Sequence, residues 1–329
     1  MSCCKIPILL ITFNRPQYTR RVLEVVVAAQ PKDLYVFQDG AREGNENDIK
    51  RCAEVRQIVE GLTKDTDVCL HTKYYETNLG CGPGPAAALT WFFENEEMGI
   101  VLEDDAVPHP DFFHYCEELL AKYKDNDDVC SIGSMNADTQ KWGDGSYYFS
   151  MMNRNLCAWA SWKRAWQRFD ISMQQVNRHE LRKALRKYGC GWLECNYWCD
   201  RLDEVHENLC DGKSWDMQFA MSVWMCHGKG IIPNVNLCSN IGTVDEATHS
   251  LGTGNIIENK PSCPILPLHH PSTMVIQREA DRQFHFRYFE PSKKSWGLFK
   301  TAYYLINKRI KRLVGHKGPW IKRNKEFLQ

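Results

Sequence analysis

Glu103, Asp104 and Asp105 stand in a row where the apolar run Gly99-Ile100-Val101-Leu102 ends. A run of that kind reads as a buried strand. Three carboxylates at its exit are costly unless positive charge meets them. Hard carboxylate oxygens suit Mg²⁺ or Mn²⁺, which are held through one or two carboxylates together with substrate phosphates. The chemistry this points to is a metal-bridged diphosphate. The same tripeptide also serves as an ordinary solvated strand end, so its neighbours must separate the two readings.

The elements that would position these acids are legible upstream. Ile6-Pro7-Ile8-Leu9-Leu10-Ile11 predicts an opening strand that runs into Thr12-Phe13-Asn14-Arg15. Its near-continuous apolar character suits a parallel strand covered on both faces. A helical pattern follows from Tyr18 to Ala29, then a strand, Leu34 to Gln38, ending at Asp39-Gly40. A polar helix from about Glu46 to Leu62 and a short strand near Val68-Cys69-Leu70 come next. The loop Asn78-Leu79-Gly80-Cys81-Gly82-Pro83 leads into a helix from Pro85 to Glu97, with Ala86, Leu89, Phe92 and Phe93 on its apolar face. Strand and helix alternate, which predicts an α/β fold with a mostly parallel sheet between helices. Ligands of such sheets bind at the carboxyl ends of the strands. Asn14-Arg15, Asp39 and Glu103-Asp104-Asp105 all fall on that rim.

The glycines at 80, 82 and 84 supply turn geometry, and a proline can open a helix at its first position. A helix N-terminus at the rim can also receive a phosphate or sugar hydroxyl, which makes Asn78 and Gly82 candidate donor contacts. The spacing is not that of a dinucleotide fingerprint, and no Gly-Lys-Ser/Thr phosphate loop occurs. Dinucleotide cofactors and P-loop hydrolysis lose ground accordingly.

Taken together, Pro7 to Arg15, Gln38-Asp39-Gly40, Asn78-Leu79-Gly80 and Val101 to Asp105 resemble the nucleotide-sugar transferases of the GT-A fold. Val101 to Asp105 with Pro108-His109-Pro110-Asp111-Phe112-Phe113 is similar to the N-acetylglucosaminyltransferase I group and its bacterial relatives. The resemblance spans roughly residues 6 to 250. It implies a metal ion, Mn²⁺ or Mg²⁺, held by Asp105. It further implies that Asp104 meets the ribose, Glu103 the donor sugar and Asp39 the nucleoside, with Thr12, Phe13, Asn14, Arg15 and Gly40 completing the donor side. Trp215-Asp216 matches the start of the group's Trp-Asp-Asp segment, whose first Asp is the catalytic base, so Asp216 takes that role. Met217 stands where the group has a second Asp, a departure from the pattern. Asp216 also suits the first turn of a helix from Met217 to Cys226, with Ser214 as its N-cap.

Asn155 to Trp166 carries Trp159, Trp162 and Trp166 at helical or near-helical spacing. Trp162 and Trp166 read as core. Trp159 precedes the expected helix and is a candidate stacking platform for a sugar. Helices are predicted over 178–187 and 192–207, and a short strand over 230–233. Asn240-Ile241-Gly242 and Asp245 to His249 read as a segment that closes over a nucleotide, with His249 a candidate metal ligand.

Composition sets the remaining bounds. The chain has 329 residues and a formal net charge of zero, which gives no support to a nucleic-acid partner. Its 15 cysteines lack the paired spacing of a zinc site. With no long apolar run at the N-terminus, these features predict a reduced, cytoplasmic protein. From Lys293 to Lys325 the sequence is dense in Lys and Arg, has no Asp or Glu, and interleaves Trp296, Phe299, Tyr303 and Ile310. That pattern predicts a basic amphipathic helix able to lie on an anionic membrane.

The expected organisation is a nucleotide-sugar half over 1–135, an acceptor and catalytic half over 136–290, and a basic tail over 291–329. The expected activity is metal-dependent, inverting transfer from a nucleoside diphosphate sugar, a UDP-sugar, to a hydroxyl of a glycan or glycolipid acceptor in surface glycan biosynthesis. Two rivals remain. A sugar nucleotidyltransferase would use a similar sheet, although that class opens with a basic Gly-rich loop where this chain has Thr12-Phe13-Asn14-Arg15. A non-catalytic carbohydrate-binding protein would keep the fold without turnover.

Overall fold

A computed structural model describes residues 4–136, 140–152, 157–207, 215–242, 260–289 and 306. The chain divides into two compact units, Met1–Arg278 and Glu279–Gln329. The first opens with β1 (Ile8–Thr12), α1 (Pro16–Ala28), β2 (Asp33–Gln38), α2 (Glu46–Thr63), β3 (Cys69–Tyr74), α3 (Pro83–Asn95) and β4 (Met98–Glu103). It continues through β5 (Ala106–Pro108), α4 (Asp111–Lys122), β6 (Val129–Gly133), β7 (Tyr147–Ser150), β8 (Ala158–Trp162) and the short α5 (Lys163–Trp166). After these come α6 (Arg178–Lys187), α7 (Trp192–Glu207), α8 (Asp216–Met225), β9 (Lys229–Pro233) and β10 (Cys238–Asn240). The second unit's described residues are those of α9 (Arg278–Phe284), which starts at the boundary, a π-helical turn over His285–Phe289, and Ile306.

Eight strands form one sheet in the order β3-β2-β1-β4-β8-β6-β9-β7. The β1/β2, β2/β3, β1/β4 and β6/β9 pairs are parallel. Strand β8 runs antiparallel to both β4 and β6, and β7 antiparallel to β9. The fold is therefore mixed α/β and Rossmann-like, with a mostly parallel central sheet, as the alternation of elements predicts.

Period-two alternation explains why the first strands are apolar throughout. Ile8, Leu10, Leu34, Val36, Ile100 and Leu102 face one core with Val22, Leu23 and Val26 of α1 and Phe112, Cys116 and Leu119 of α4. Leu9, Tyr35, Phe37 and Val101 face the other with Leu89, Phe92 and Phe93 of α3 and Phe219 and Val223 of α8. Each strand is buried on both sides, so neither face has room for polar residues. A fully buried aliphatic side chain contributes about 1.5–3 kcal/mol. Both cores thus hold the strands in register while their polar ends stay free for chemistry.

Helix starts are set by local chemistry. Pro16 opens α1 at its first position. Asn45 caps α2 by accepting from the Asp48 amide. Asn177 and Glu180 make a reciprocal capping box at α6. No helix among the described residues is long and apolar enough to cross a membrane.

The Trp-rich segment departs from the helical expectation. Trp159 and Trp162 lie in a strand, and only Lys163–Trp166 is helical. The two rings point to opposite faces, Trp159 into the core under α3 and Trp162 into the core under α4. The basic run 293–325 lies outside the described residues apart from Ile306, which is helical and exposed.

Candidate active site

Parallel pairing brings the ends of β1, β2 and β4 to one edge. Thr12 is level with Gln38, and Ile11 with Glu103. The chain after β1 therefore meets the acids after β4. Arg15 forks across them, pairing with Asp104 through one guanidinium nitrogen and with Asp105 Oδ2 through the other, at 2.8 Å. Asp104 Oδ2 also accepts from the Phe13 amide at 3.4 Å. The positive charge that the acidic row requires is thus supplied in part by the chain itself.

It is supplied only in part. Among the described residues, Glu103, Asp104 and Asp105 meet one guanidinium. Burial holds the Glu103 carboxyl above the ordinary range, and repulsion from Asp105 adds to this. Asp104 is also pushed up by burial, with Arg15 opposing the shift. Asp105 is 7 % exposed, and its Oδ1 is buried with no hydrogen-bond partner among the described residues. An unsatisfied carboxylate oxygen at such a place costs about 1–3 kcal/mol or more. It is the atom in the site most suited to a cation.

Two later segments close around it. Because β8 runs antiparallel to β4, Cys157 sits just before β8 at the outgoing end of β4, where the Glu103 amide donates to the Cys157 carbonyl at 2.8 Å. One ligand atom each from Glu103, Asp105 and Cys157 lie within 4.8 Å of one another. Strand β10 pairs with β5, so Ile241 N–H reaches the Asp105 carbonyl at 2.9 Å. Gly242 follows, and a Cβ there would stand 2.4 Å from Asp105 Oδ2. Asn240 Nδ2 donates to Cys157 Sγ at 3.0 Å, while its Oδ1 accepts from the Gly242 amide at 2.9 Å. Burial, then the Glu103 charge, pushes the Cys157 thiol well up.

Asp216 lies in the first turn of α8 and is exposed. Its charge reaches Glu103 and contributes to raising that carboxyl. Trp215 precedes it, buried and stacked on Trp159 at 5.7 Å. The two rings fix where α8 begins and therefore where Asp216 stands. Trp159 itself is 1 % exposed. It is a support beneath the site rather than an open stacking platform, which corrects the expectation that it faces the cleft. Sequence spacing could not tell these apart, because an aromatic three residues from another fits a strand or a helix.

The other rim residues are mostly committed to holding loops. Both Asp39 oxygens are occupied: Oδ1 accepts from Gly40 N at 2.9 Å and Leu79 N at 2.8 Å, and Oδ2 from Asn78 Nδ2 and Gly80 N, both at 3.0 Å. Burial raises the Asp39 carboxyl, while those three backbone amides oppose the shift. Asp39 therefore shapes the loop that leads into α3, and Gly82 is the N-cap of that helix. Gly40 packs against the Thr77 backbone, which an added Cβ would approach to 2.5 Å. Thr12 Oγ1 donates to the Phe37 carbonyl at 2.9 Å. Asn14 donates to Asp48 at 2.7 Å.

Arg42 and Asp48 were not singled out from sequence. Asp48 is fully buried and takes both arms of the Arg42 guanidinium, at 2.6 and 2.9 Å. Arg42 is largely exposed and lies over the Phe13 ring at 5.7 Å. Its cue was available in the first-turn acid after Asn45, but that position is also simply favourable to the helix dipole. His249 and Ser214 lie outside the described residues.

No protein-family model matches the chain, and no curated protein matches it in sequence. Solved structures do match in shape. A structure of UDP-glucose pyrophosphorylase complexed with UDP-glucose aligns with a TM-score of 0.40 at 10% identity, over 73% of this chain and 95% of that one. The 4-diphosphocytidyl-2C-methyl-D-erythritol synthase of Anaerococcus prevotii aligns at 0.31 and 10%, over 50% and 74%. A putative glucose-1-phosphate thymidylyltransferase from Bacillus anthracis aligns at 0.27 and 10%, over 50% and 73%. The last of these is a nucleotidyltransferase by name. At these scores the likeness carries no argument about chemistry.

Proposed function

We propose that the chain is a metal-dependent transferase that takes a nucleoside diphosphate sugar and moves the sugar to an acceptor hydroxyl with inversion. One observation carries the reading. Among the described residues, three carboxylates at the rim of a mostly parallel sheet meet a single guanidinium, and the buried Oδ1 of Asp105 has no hydrogen-bond partner. That donor set fits a divalent cation, Mn²⁺ or Mg²⁺, with Asp105 as its principal ligand. When bound, the ion would neutralise charge on the leaving diphosphate.

The chain's own groups supply the rest. Arg15 holds Asp104 and Asp105 apart from solvent and fixes their orientation. The Asp39-anchored loop leads into the N-terminus of α3, where the helix dipole favours an anionic group. Asp216, exposed in the first turn of α8 with its charge reaching Glu103, would accept the proton of an incoming hydroxyl. The acceptor is a glycan or glycolipid, and the basic tail is the segment suited to an anionic membrane surface.

Nucleotidyl transfer, which would join a sugar phosphate to a nucleotide, is the second reading. A structure with a name of that kind is among those of similar shape given above. Against it, β1 passes directly through Thr12-Phe13-Asn14-Arg15 into α1, with no Gly-rich basic loop to hold a triphosphate. Incubation with UDP-sugars, Mn²⁺ and an acceptor glycan separates the two. Glycosyl transfer releases UDP and yields a glycoside of inverted configuration by NMR. Formation of UTP on adding pyrophosphate, with no glycoside, would establish the second reading instead.

A further inference from the structure

Most of the acidic rim is accounted for by the nucleotide-sugar reading, but Cys157 is not. It is buried, its backbone sits at φ +65°, and its sulfur is turned toward Glu103 and Asp105. A non-glycine residue in the left-handed region is strained and persists where the surroundings impose it. Here the surroundings are the Glu103 amide on the Cys157 carbonyl and the Asn240 amide on its sulfur. Asn240 cannot simply turn over, because its oxygen is engaged by Gly242 N–H.

From this geometry we infer that Cys157 Sγ is a metal ligand, completing with Glu103 and Asp105 a three-point mixed thiolate and carboxylate seat for a divalent ion of intermediate softness. The inference rests on the metal-dependent reading above and adds a ligand and a selectivity to it. Two independent features meet at the seat: the mutual reach of the three ligand atoms, all within 4.8 Å, and the buried unpartnered Oδ1 of Asp105. An ion at about 2.0–2.3 Å from each ligand can bridge such separations after small side-chain adjustment. On binding, the S–H bond breaks, a metal–sulfur bond forms, and the proton leaves to buffer. Thiolate shifts preference away from Mg²⁺, which wants hard oxygen donors, toward softer ions such as Zn²⁺ or Co²⁺.

The test uses the full chain, reduced and stripped of metal, in a Cys69→Ser background. That substitution removes a second, surface group, Asp33, Cys69 and His71, which can also gather a metal. Co²⁺ is added and the near-ultraviolet sulfur-to-cobalt charge-transfer absorption is recorded, with Zn²⁺ and Mg²⁺ affinities measured by calorimetry. The expected result is a thiolate band, release of a proton on binding, and Zn²⁺ preferred over Mg²⁺. Cys157→Ser should abolish the band and weaken Zn²⁺ by at least about tenfold, since loss of even an outer-shell partner costs 10–100-fold. Mg²⁺ affinity should change little. Co²⁺ bound without a thiolate band overturns the inference, and that spectrum decides even if the variant does not fold. Equal Zn²⁺ binding by both proteins with donor affinity retained removes only the Cys157 ligand. No binding of any divalent ion removes the metal-dependent reading as well.

Discussion

Asp105→Asn tests the charge balance at the rim. The substitution keeps shape and removes one of three negative charges. At an effective dielectric of about 20, Arg15 at 2.8 Å from Asp105 contributes roughly 6 kcal/mol of attraction. Glu103, with an oxygen within 4.8 Å, opposes this by roughly 3.5 kcal/mol when ionised. Asp104 adds further repulsion. Above about pH 8, where Glu103 is ionised, attraction and repulsion nearly cancel, so at that pH the metal-free variant should unfold within about 2 kcal/mol of the parent in urea. With metal the two proteins should part. A ligand at 100 times its Kd stabilises the native state by about 2.7 kcal/mol. With about 2.1 cal/mol/K of unfolding entropy per residue over 329 residues, that is a rise in Tm of about 4 °C. The parent should show this rise in Mn²⁺, and Asp105→Asn should not. Scanning calorimetry with and without Mn²⁺ reads both numbers. A metal-free loss well above 3 kcal/mol would mean that Arg15 and Asp105 form a structural ion pair. A full Mn²⁺ shift in the variant would refute Asp105 as the principal ligand.

Further outcomes follow from the same geometry. Asp216→Asn should leave stability unchanged, because no side chain caps α8, while kcat falls by about 10²–10⁴-fold with donor binding intact; near-normal turnover would remove Asp216 as the base. Asp39→Ala strands the amides of Leu79 and Gly80 and the Asn78 side chain, and should cost about 2–4 kcal/mol in urea unfolding; a cost below about 1 kcal/mol would show that the loop does not depend on it. The Arg42 guanidinium holds the Asp48 carboxyl below its ordinary range, with Asn14 assisting. Its folded pKa is depressed, so this stabilisation is complete above about pH 4, near the unfolded value, and is lost as pH falls further. Asp48→Asn should flatten that acid limb of the stability curve, and an unchanged limb would dismiss the pair. Truncation after Pro291 should lower binding to anionic vesicles at low salt, at about 1 kcal/mol per basic residue near the surface, without altering donor affinity.

What the sequence discloses here follows the range of the interactions. Helices α6 and α7 have the bounds expected from amphipathic pattern and capping, both local signals. Strands β1 to β4 and their shared rim follow from alternation with helices, because parallel crossovers leave few other arrangements. The carboxyl ends of those strands carry Arg15, Asp39 and the three acids without any help from the rest of the chain. The second half obeys no such rule. An antiparallel strand inserted between β4 and β6 reverses the chain, and nothing within ten residues of Trp159 states where that strand pairs. Its Trp-x-x-Trp spacing fits a helix face, yet in a strand the same spacing sends the rings to opposite cores. The site inherits that difference. Glu103 and Asp105 are two residues apart and could be read together; Cys157 reaches them by the reversal at β8, and Asn240 and Gly242 by the pairing of β10 with β5. A lone cysteine in a Trp-rich segment has no local pattern to mark it as a ligand. Only sheet order brings its sulfur to the carboxylates, so ligands supplied by long-range pairing must be sought in the fold even where the acidic row alone announces the site.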